Sequence, residues 1–332
     1  MHDYIRELLQ CPQCAGALIW TITTRQDERI VAGEAQCAAC GATYPIREGI
    51  GLFLTPDLTR NDLWEQAGSG LTRHLSEHPE VERRLMDSPP ETLGAADLFF
   101  RSMALEERGY FDRTRELLDR AYEGLYTAEY RACFARALDA IVARVRGGDG
   151  PVVDLASGRG MLVERMVDAL DCPIIATDFS PRILRRNRRW LEHWGRYDRV
   201  SLLAFDARRT PFKDSVVVTL TTNLGLPNIE EPTRLLGELR RIVSGTLLAV
   251  SQFYPEDDAA NGAAIHSARL ETMLYRQATL AAFAAAGWRV TLEDRCLGHA
   301  EPTPVGVIIE GAGIDGLPVA ATTLEWGILI AQ

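Results

Sequence analysis

The sequence predicts an α/β chain: an open, largely parallel sheet behind a small metal-binding β module, joined by a helical connector. Three observations predict it. Two Cys-x-x-Cys pairs lie within the first forty residues. From residue 151 onward, short apolar runs alternate with helical patterns, as in a doubly wound sheet. The first of these runs, Pro151-Val-Val-Asp-Leu155, leads directly into Gly158-Arg-Gly160 and then a helical pattern from Met161. Strand, glycine turn and helix in that order let backbone N–H groups approach a ligand that a β-carbon would push away.

The chain has 332 residues, 46% hydrophobic and 25% charged, enough for two ordinary globular domains. Its apolar runs stay short of the roughly 18 residues of a membrane span, so none is expected. Met1 to Gln10 lacks the apolar centre of a signal peptide. A net charge of −10 disfavours a protein whose main task is gripping nucleic acid. Lys213 is the sole lysine; arginine supplies the other basic groups. Cys133, Cys172 and Cys296 are scattered singly, which is not a disulfide scaffold, so the cytoplasm is the expected compartment.

Residues 3–10 read as a short helix. Cys11-Pro-Gln-Cys14 and Cys37-Ala-Ala-Cys40 are separated by alternating stretches at Ala17–Thr23 and Arg29–Ala35 that read as a hairpin. A hairpin brings the pairs together, and four thiolates make a closed, structural Zn²⁺ site. So small a module buries little core, so metal binding is expected to contribute to its folding. Leu8-Leu9 before Cys11-Pro12, and Tyr44-Pro-Ile-Arg-Glu-Gly-Ile50 after the second pair, complete a pattern. Residues 6–54 thereby resemble the small zinc-ribbon-like activator subunit of tRNA, rRNA and release-factor methyltransferases. In that family the module is a separate subunit covering an apolar surface; here the resemblance implies a fusion.

Residues 55–95 read as a polar linker with short helices at 62–66 and 79–86. Helices are expected at 96–107 and 110–146, the second carrying Tyr122, Tyr126 and Tyr130 at four-residue spacing. These tyrosines read either as core packing or as a lid over a ligand. The expected domains are thus a zinc-binding module at 1–54, a connector at 55–109 and a third domain at 110–332. Strands are expected at 151–155, 173–178, 200–205, 216–222, 246–253, 288–294 and 324–331. Helices are expected near 160–170, 181–194, 231–243 and 270–286.

Acids stand at three successive strand tips: Asp154, Asp178 and Asp206. Asp154-x-Ala156-Ser157-Gly158-x-Gly160, then Asp178-Phe179, then Asp206-Ala207, in that order, resemble the class I S-adenosylmethionine-dependent methyltransferases. That family implies a seven-stranded Rossmann-like methyltransferase sheet whose last strand is antiparallel. It implies Asp178 on the ribose hydroxyls, Phe179 against adenine and Asp206 at the adenine amino group. Asn223, at the end of the fourth strand, and Tyr126 are the remaining cofactor-binding candidates. Alanine at 156, where the family often has glycine, departs from the pattern and crowds the turn. A dinucleotide fingerprint fails, because Gly160 is followed by Met161-Leu-Val163 with no third glycine.

Transfer from a sulfonium is mainly an orientation task, with a base needed only for a protonated acceptor. Tyr254, His266 and His299 are the catalytic candidates, with Asp257 and Glu301 beside them. Residues 301–318, apolar and glycine-rich, read as a substrate lid or interface loop. Arg182, Arg185, Arg186, Arg188 and Arg189 on one helix read as a solvated face or as a phosphate-binding patch. The leading expectation is a methyltransferase of a small molecule or peptide natural product. A second is an rRNA or tRNA base methyltransferase, through resemblance to bacterial 23S rRNA guanine-N1 methyltransferases. Their second ligand pair usually includes a histidine, where this chain has Cys37 and Cys40. A third is a non-catalytic cofactor-binding regulatory partner. Oligomeric state is not legible.

Overall fold

A computed structural model describes residues 1–58, 61–148 and 150–332. The chain opens with a 3-10 turn at Asp3–Leu8 and a four-stranded meander, β1 (Leu18–Gln26), β2 (Arg29–Cys37), β3 (Thr43–Arg47) and β4 (Ile50–Leu52). Five helices follow: α1 (Leu63–Glu77), α2 (Pro79–Asp87), α3 (Ala95–Glu107), α4 (Phe111–Leu125) and α5 (Ala128–Val145). The alternating part runs β5 (Val152–Leu155), α6 (Met161–Ala169), β6 (Ile174–Asp178), α7 (Pro181–His193), β7 (Val200–Ala204), β8 (Val217–Asn223), α8 (Pro232–Ile242) and β9 (Val243–Phe253). It ends with α9 (Ala259–Ser267), α10 (Glu271–Leu274), α11 (Arg276–Ala285), β10 (Val290–Ala300) and β11 (Thr322–Ala331).

All eleven strands form one sheet, in the order β1-β2-β3-β4-β7-β6-β5-β8-β9-β11-β10. The seven-stranded expectation is therefore corrected. Seven strands do come from the alternating part, with β11 antiparallel to β9 and β10. The N-terminal meander then extends them by four, because β4 pairs in parallel with β7, Gly51 opposite Leu203. Pairing satisfies an edge that would otherwise present free N–H and C=O groups. A β-carbon on Gly51 would come within 2.8 Å of Leu203, so the junction strand needs glycine there. Met1, Ile5, Tyr44 and Phe53 of the N-terminal module share a core with Val153, Phe205 and Phe212. The module is thus joined to the sheet by hydrogen bonds and by burial together.

Strands β5, β6 and β7 are buried along their whole length, which explains their unbroken apolar runs. The helix expected over 110–146 breaks at Tyr126, whose backbone is extended; Thr127 caps α5 by accepting from the Tyr130 N–H at 3.1 Å. The helix expected over 270–286 is likewise divided, by Tyr275. The short helix expected at 62–66 runs on to Glu77. Cys133 and Cys296, read as single cysteines, are joined in a disulfide that ties α5 to β10. Among the described residues, no helix is long and apolar enough to cross a membrane.

Candidate functional site

The carboxyl ends of β5, β6 and β7 bring the predicted turn residues together. Ala156, Gly158 and Gly160 all have positive φ, at +51°, +50° and +80°. The Ser157 hydroxyl donates to the Asp154 carbonyl at 3.1 Å and accepts from the Thr177 N–H at 3.1 Å, sewing the turn to β6. Asp178 accepts from the Gly158 N–H at 3.0 Å and the Ser180 N–H at 2.9 Å. Burial pushes its carboxyl up to about 6 against those two bonds. Asp154 accepts from the Thr221 hydroxyl at 2.7 Å, while its second oxygen is buried without a partner. Burial pushes Asp154 up to about 7.

Two features of this end were not expected. Asp206 is held on both oxygens by the Arg208 guanidinium, at 3.0 and 2.7 Å, with Ala207 buried beside it. Trp64, in the first turn of α1, lies over the turn: a β-carbon on Gly158 would meet its ring at 3.3 Å. The stretch read as linker thus reaches the heart of the site.

The turn is also fixed from outside the sheet. Asn187 of α7 donates to the Gly158 carbonyl at 2.7 Å, and Arg186 to the Arg159 carbonyl at 2.6 Å. Arg159 and Arg186 both bond Glu106 of α3, at 2.9 and 2.6 Å, and all three side chains are nearly inaccessible. Burial alone would raise the Glu106 carboxyl, but the two guanidiniums outweigh it and hold it below its ordinary range. The arginine run of α7 has the same use. Arg182 pairs with Glu107 at 2.6 Å, Arg188 with Glu192 at 2.7 Å, and Arg189 reaches the Glu107 carbonyl at 3.4 Å. Four of the five arginines therefore have partners within the protein, three of them seating the connector.

At the tips of β8, β9 and β11 the register sets several polar side chains on one face. Asp154 lies opposite Thr221, Asn223 opposite Val250 and Gln252 opposite Trp326, so paired residues share a face. Tyr254 follows two residues after Gln252. Among the described residues, Asn223 Oδ1, Gln252 Oε1, the Tyr254 hydroxyl and Trp326 Nε1 are buried without a partner. Tyr126 and Tyr130 stack at 4.8 Å, and Tyr130 stands edge-on to Trp326 at 4.9 Å. Tyr126 donates to Asp315 at 2.8 Å. Tyr126 thus belongs to this aromatic cluster.

Asp315 is carried in by the segment between β10 and β11, which is anchored at both ends. Asp97 of α3 accepts from the Val307 and Ile308 N–H groups at 3.1 and 3.0 Å, and Asn261 of α9 accepts from the Val319 N–H at 2.8 Å. The remaining candidates lie outside the cluster. His266 is exposed on α9 beside Glu271, and His299 is exposed near Glu301 with its carbonyl bonded by Thr127. Asp257 and Glu301 are exposed too. Gln252, Trp326 and Asp315 carried no motif. Gln252 alone left a legible signal, a polar residue within an apolar strand.

The predicted ligand cysteines converge: the Sγ atoms of Cys11, Cys14, Cys37 and Cys40 all lie within 4.8 Å of one another. Cys11–Cys40 and Cys14–Cys37 stand at 3.7 and 3.4 Å, close to the edge of a tetrahedron with Zn–S of about 2.3 Å. Gly16 leaves room for them; a β-carbon there would come within 2.9 Å of Cys37 Sγ. The donor set fits a closed zinc site.

Residues 152–245 match the family model described as a methyltransferase domain, and residues 5–49 that of Trm112p-like protein. A demethylmenaquinone methyltransferase of Renibacterium salmoninarum is 35% identical over 104 residues, 31% of this chain and 40% of the relative. A ubiquinone/menaquinone biosynthesis C-methyltransferase of Acidiphilium cryptum is 32% identical over 92 residues, 28% of this chain and 37% of the relative. The chain spans only about half or less of these relatives' length, 37% to 53% across the first five. Among solved structures, the YcgJ protein of Bacillus subtilis aligns at 14% identity and a TM-score of 0.47, over 59% of this chain and 97% of that one. With the glycine turn after β5 and four cysteines at metal-binding distance, the two family matches assign residues 152–245 to a class I methyltransferase domain and residues 5–49 to a Trm112p-like zinc-ribbon module.

Proposed function

We propose that the chain transfers a methyl group from S-adenosylmethionine to a small-molecule acceptor. The observation that carries the reading is the turn after β5, where Gly158 and Gly160 hold positive φ beside the buried carboxylate of Asp178. The cofactor supplies a sulfonium-activated methyl group, so the chain's own task is to bind and align. In this reading Asp178 takes the ribose hydroxyls, Phe179 and Ala207 flank adenine, and Asp154, Ala156, Ser157 and Gly160 shape the floor beneath the rest. Asp206 already accepts from Arg208, but a carboxylate has lone pairs enough to accept from an adenine amino group as well. Asn223 stands between the cofactor end and the acceptor end.

A small-molecule acceptor is supported by the quinone methyltransferases among the relatives. It is supported also by the arginine run, in which Arg182, Arg186 and Arg188 pair with carboxylates of the protein itself and leave less of a phosphate-binding patch. Of the three catalytic candidates we retain Tyr254, whose buried hydroxyl stands on the acceptor side. The four cysteines hold a structural Zn²⁺ in this reading, stabilising the meander that extends the sheet.

Calorimetric titration with S-adenosylhomocysteine tests the cofactor site. Wild-type protein is expected to bind, and Asp178→Ala to bind roughly 100-fold more weakly, the scale of two lost hydrogen bonds to a charged group. No binding by wild type, or unchanged binding by the variant, removes the reading. Transfer of labelled methyl into fractionated small molecules, protein and RNA then tests the acceptor, with label in the RNA fraction alone the refuting result. Metal analysis should find about one zinc per chain, and Cys37→Ser should lose it together with the folded meander.

A further inference from the structure

Resting on the methyltransferase reading, we propose that Asn223, Gln252, Tyr254 and Trp326 form the acceptor subsite, and that it selects an uncharged, oxygen-bearing aromatic ring. The placement follows from register. Asp154, Thr221, Asn223, Val250, Gln252, Tyr254 and Trp326 share the sheet face covered by α5. Along that face run five polar atoms that are buried and unpartnered: Asp154 Oδ2, Asn223 Oδ1, Gln252 Oε1, the Tyr254 hydroxyl and Trp326 Nε1. A buried polar atom without a partner costs about 1–3 kcal/mol. Of the sixteen such atoms among the described residues, five lie on this one face, each a group that a ligand could satisfy. They run from the tip of β5 across β8 and β9 to β11.

The chemistry of the row limits the ligand. Trp326 Nε1 can only donate, the two amide oxygens accept, and the Tyr254 hydroxyl does both. A ligand that answers all of them must offer acceptors as well as donors, as hydroxyl and carbonyl groups do. An ammonium offers donors alone. An anion fits still less well, because the Asp315 carboxylate, held by Tyr126, stands at the outer end of the row. The walls are flat, with Tyr126 stacked on Tyr130 at an interplanar angle of 11° and Tyr130 edge-on to Trp326. Such walls favour a ring over a chain. At the outer end Asp315, held by Tyr126, is the group to which an acceptor hydroxyl donates.

The test compares one ring carrying three head groups: naphthol, naphthylmethylammonium and naphthyl phosphate. Each is titrated calorimetrically against the full-length protein with and without S-adenosylhomocysteine, and against Tyr254→Phe and Trp326→Phe. Naphthol is expected to bind at least tenfold more tightly than either charged analogue, and each variant to weaken it about tenfold. Thermal melting of the ligand-free protein separates recognition from support. In Tyr254→Phe, which removes only the unpartnered hydroxyl, the Tm should be unchanged or raised, whereas a structural role for that hydroxyl would lower it; Trp326→Phe also opens a cavity in the core and is read by affinity alone. Tighter binding of the ammonium or phosphate, no binding of any analogue, or a lowered Tm of Tyr254→Phe with unchanged naphthol affinity overturns the proposal. Wild-type protein that binds naphthol but not S-adenosylhomocysteine would support this subsite while removing the methyltransferase reading.

Discussion

The two ends of one row of strand tips are built in opposite ways. Around the turn after β5 the backbone and the charged groups are tied: Asp178 from two backbone N–H groups, the Gly158 and Arg159 carbonyls by Asn187 and Arg186, and Arg159 by Glu106, with Ser180 Oγ, Thr222 Oγ1 and Arg186 Nε left buried and unpartnered. Around the tips of β9 and β11, buried polar atoms have no partners. The first end is organised before any ligand arrives and is shaped to hold one molecule in one pose. The second keeps hydrogen-bonding capacity in reserve. Removing a hydrogen-bonding group at the tied end should therefore destabilise the protein, and removing a lone polar atom at the other end without changing its packing, as in Tyr254→Phe, should not.

Glu106→Gln is the strongest way to break that contrast. It leaves Arg159 and Arg186 buried and without a counter-charge, and removing one partner from a buried ionic group costs roughly 3–5 kcal/mol. The carboxyl is held below its ordinary range in the fold. Its contribution is therefore present above the unfolded pKa and is lost as pH falls through the folded one. Denaturant unfolding at neutral pH should show the deficit, and acidification should erase it. A loss under about 1 kcal/mol would mean that the turn is held by its backbone bonds and not by the connector.

How much could be read from the sequence follows the same division. Asp154, Gly158, Gly160 and Asp178 lie on consecutive elements, so local turn chemistry places them; the four cysteines are placed by spacing within one hairpin. The acceptor end draws on Tyr126, Gln252, Asp315 and Trp326, brought together by strand register and by a long anchored segment. Neither leaves a local signature. The eleven-stranded sheet was hidden for the same reason, because Ile50-Gly-Leu52 pairs with Leu202–Ala204, some 150 residues on. Thr127, by contrast, was legible in principle, since a threonine opening a helical stretch is a good N-cap. The arginine run shows the converse error: a sequence cannot say whether basic side chains face a phosphate or a glutamate on the next helix.

Asp154 sharpens the comparison, because it sits where the tied end meets the unpartnered row. One oxygen is bonded to Thr221 and the other to nothing, and burial raises its carboxyl to about 7. A folded pKa above the unfolded one gives stability that is full below about pH 4 and lost as pH rises through about 7. Its sign is thus opposite to that of Glu106. Asp154→Asn keeps an acceptor for Thr221 but cannot ionise. The variant should match wild type near pH 4 and exceed it by roughly 2–4 kcal/mol at pH 8, in chemical unfolding followed by circular dichroism. Parallel profiles would place Asp154 in a wetter setting than its burial indicates.

The smallest effect concerns the departure from the family pattern at Ala156. Its φ of +51° is a region that alanine enters at about 1 kcal/mol. The space its methyl needs is made by Gly225, where a β-carbon would lie 2.8 Å from the Ala156 Cβ and 2.6 Å from Thr222 Oγ1. The two positions thus exchange one methyl group between them. Ala156→Gly relieves the strained backbone but frees the unfolded chain and empties a packed site, so it should change stability by less than about 0.5 kcal/mol. Gly225→Ala alone overpacks the turn and should lose about 1–3 kcal/mol. Combining them removes one of the two collisions, so the double variant should recover about 1 kcal/mol relative to the sum of the singles. Strict additivity would show that the alanine is accommodated by the backbone alone, and that the turn is less rigidly tied than its hydrogen bonds imply.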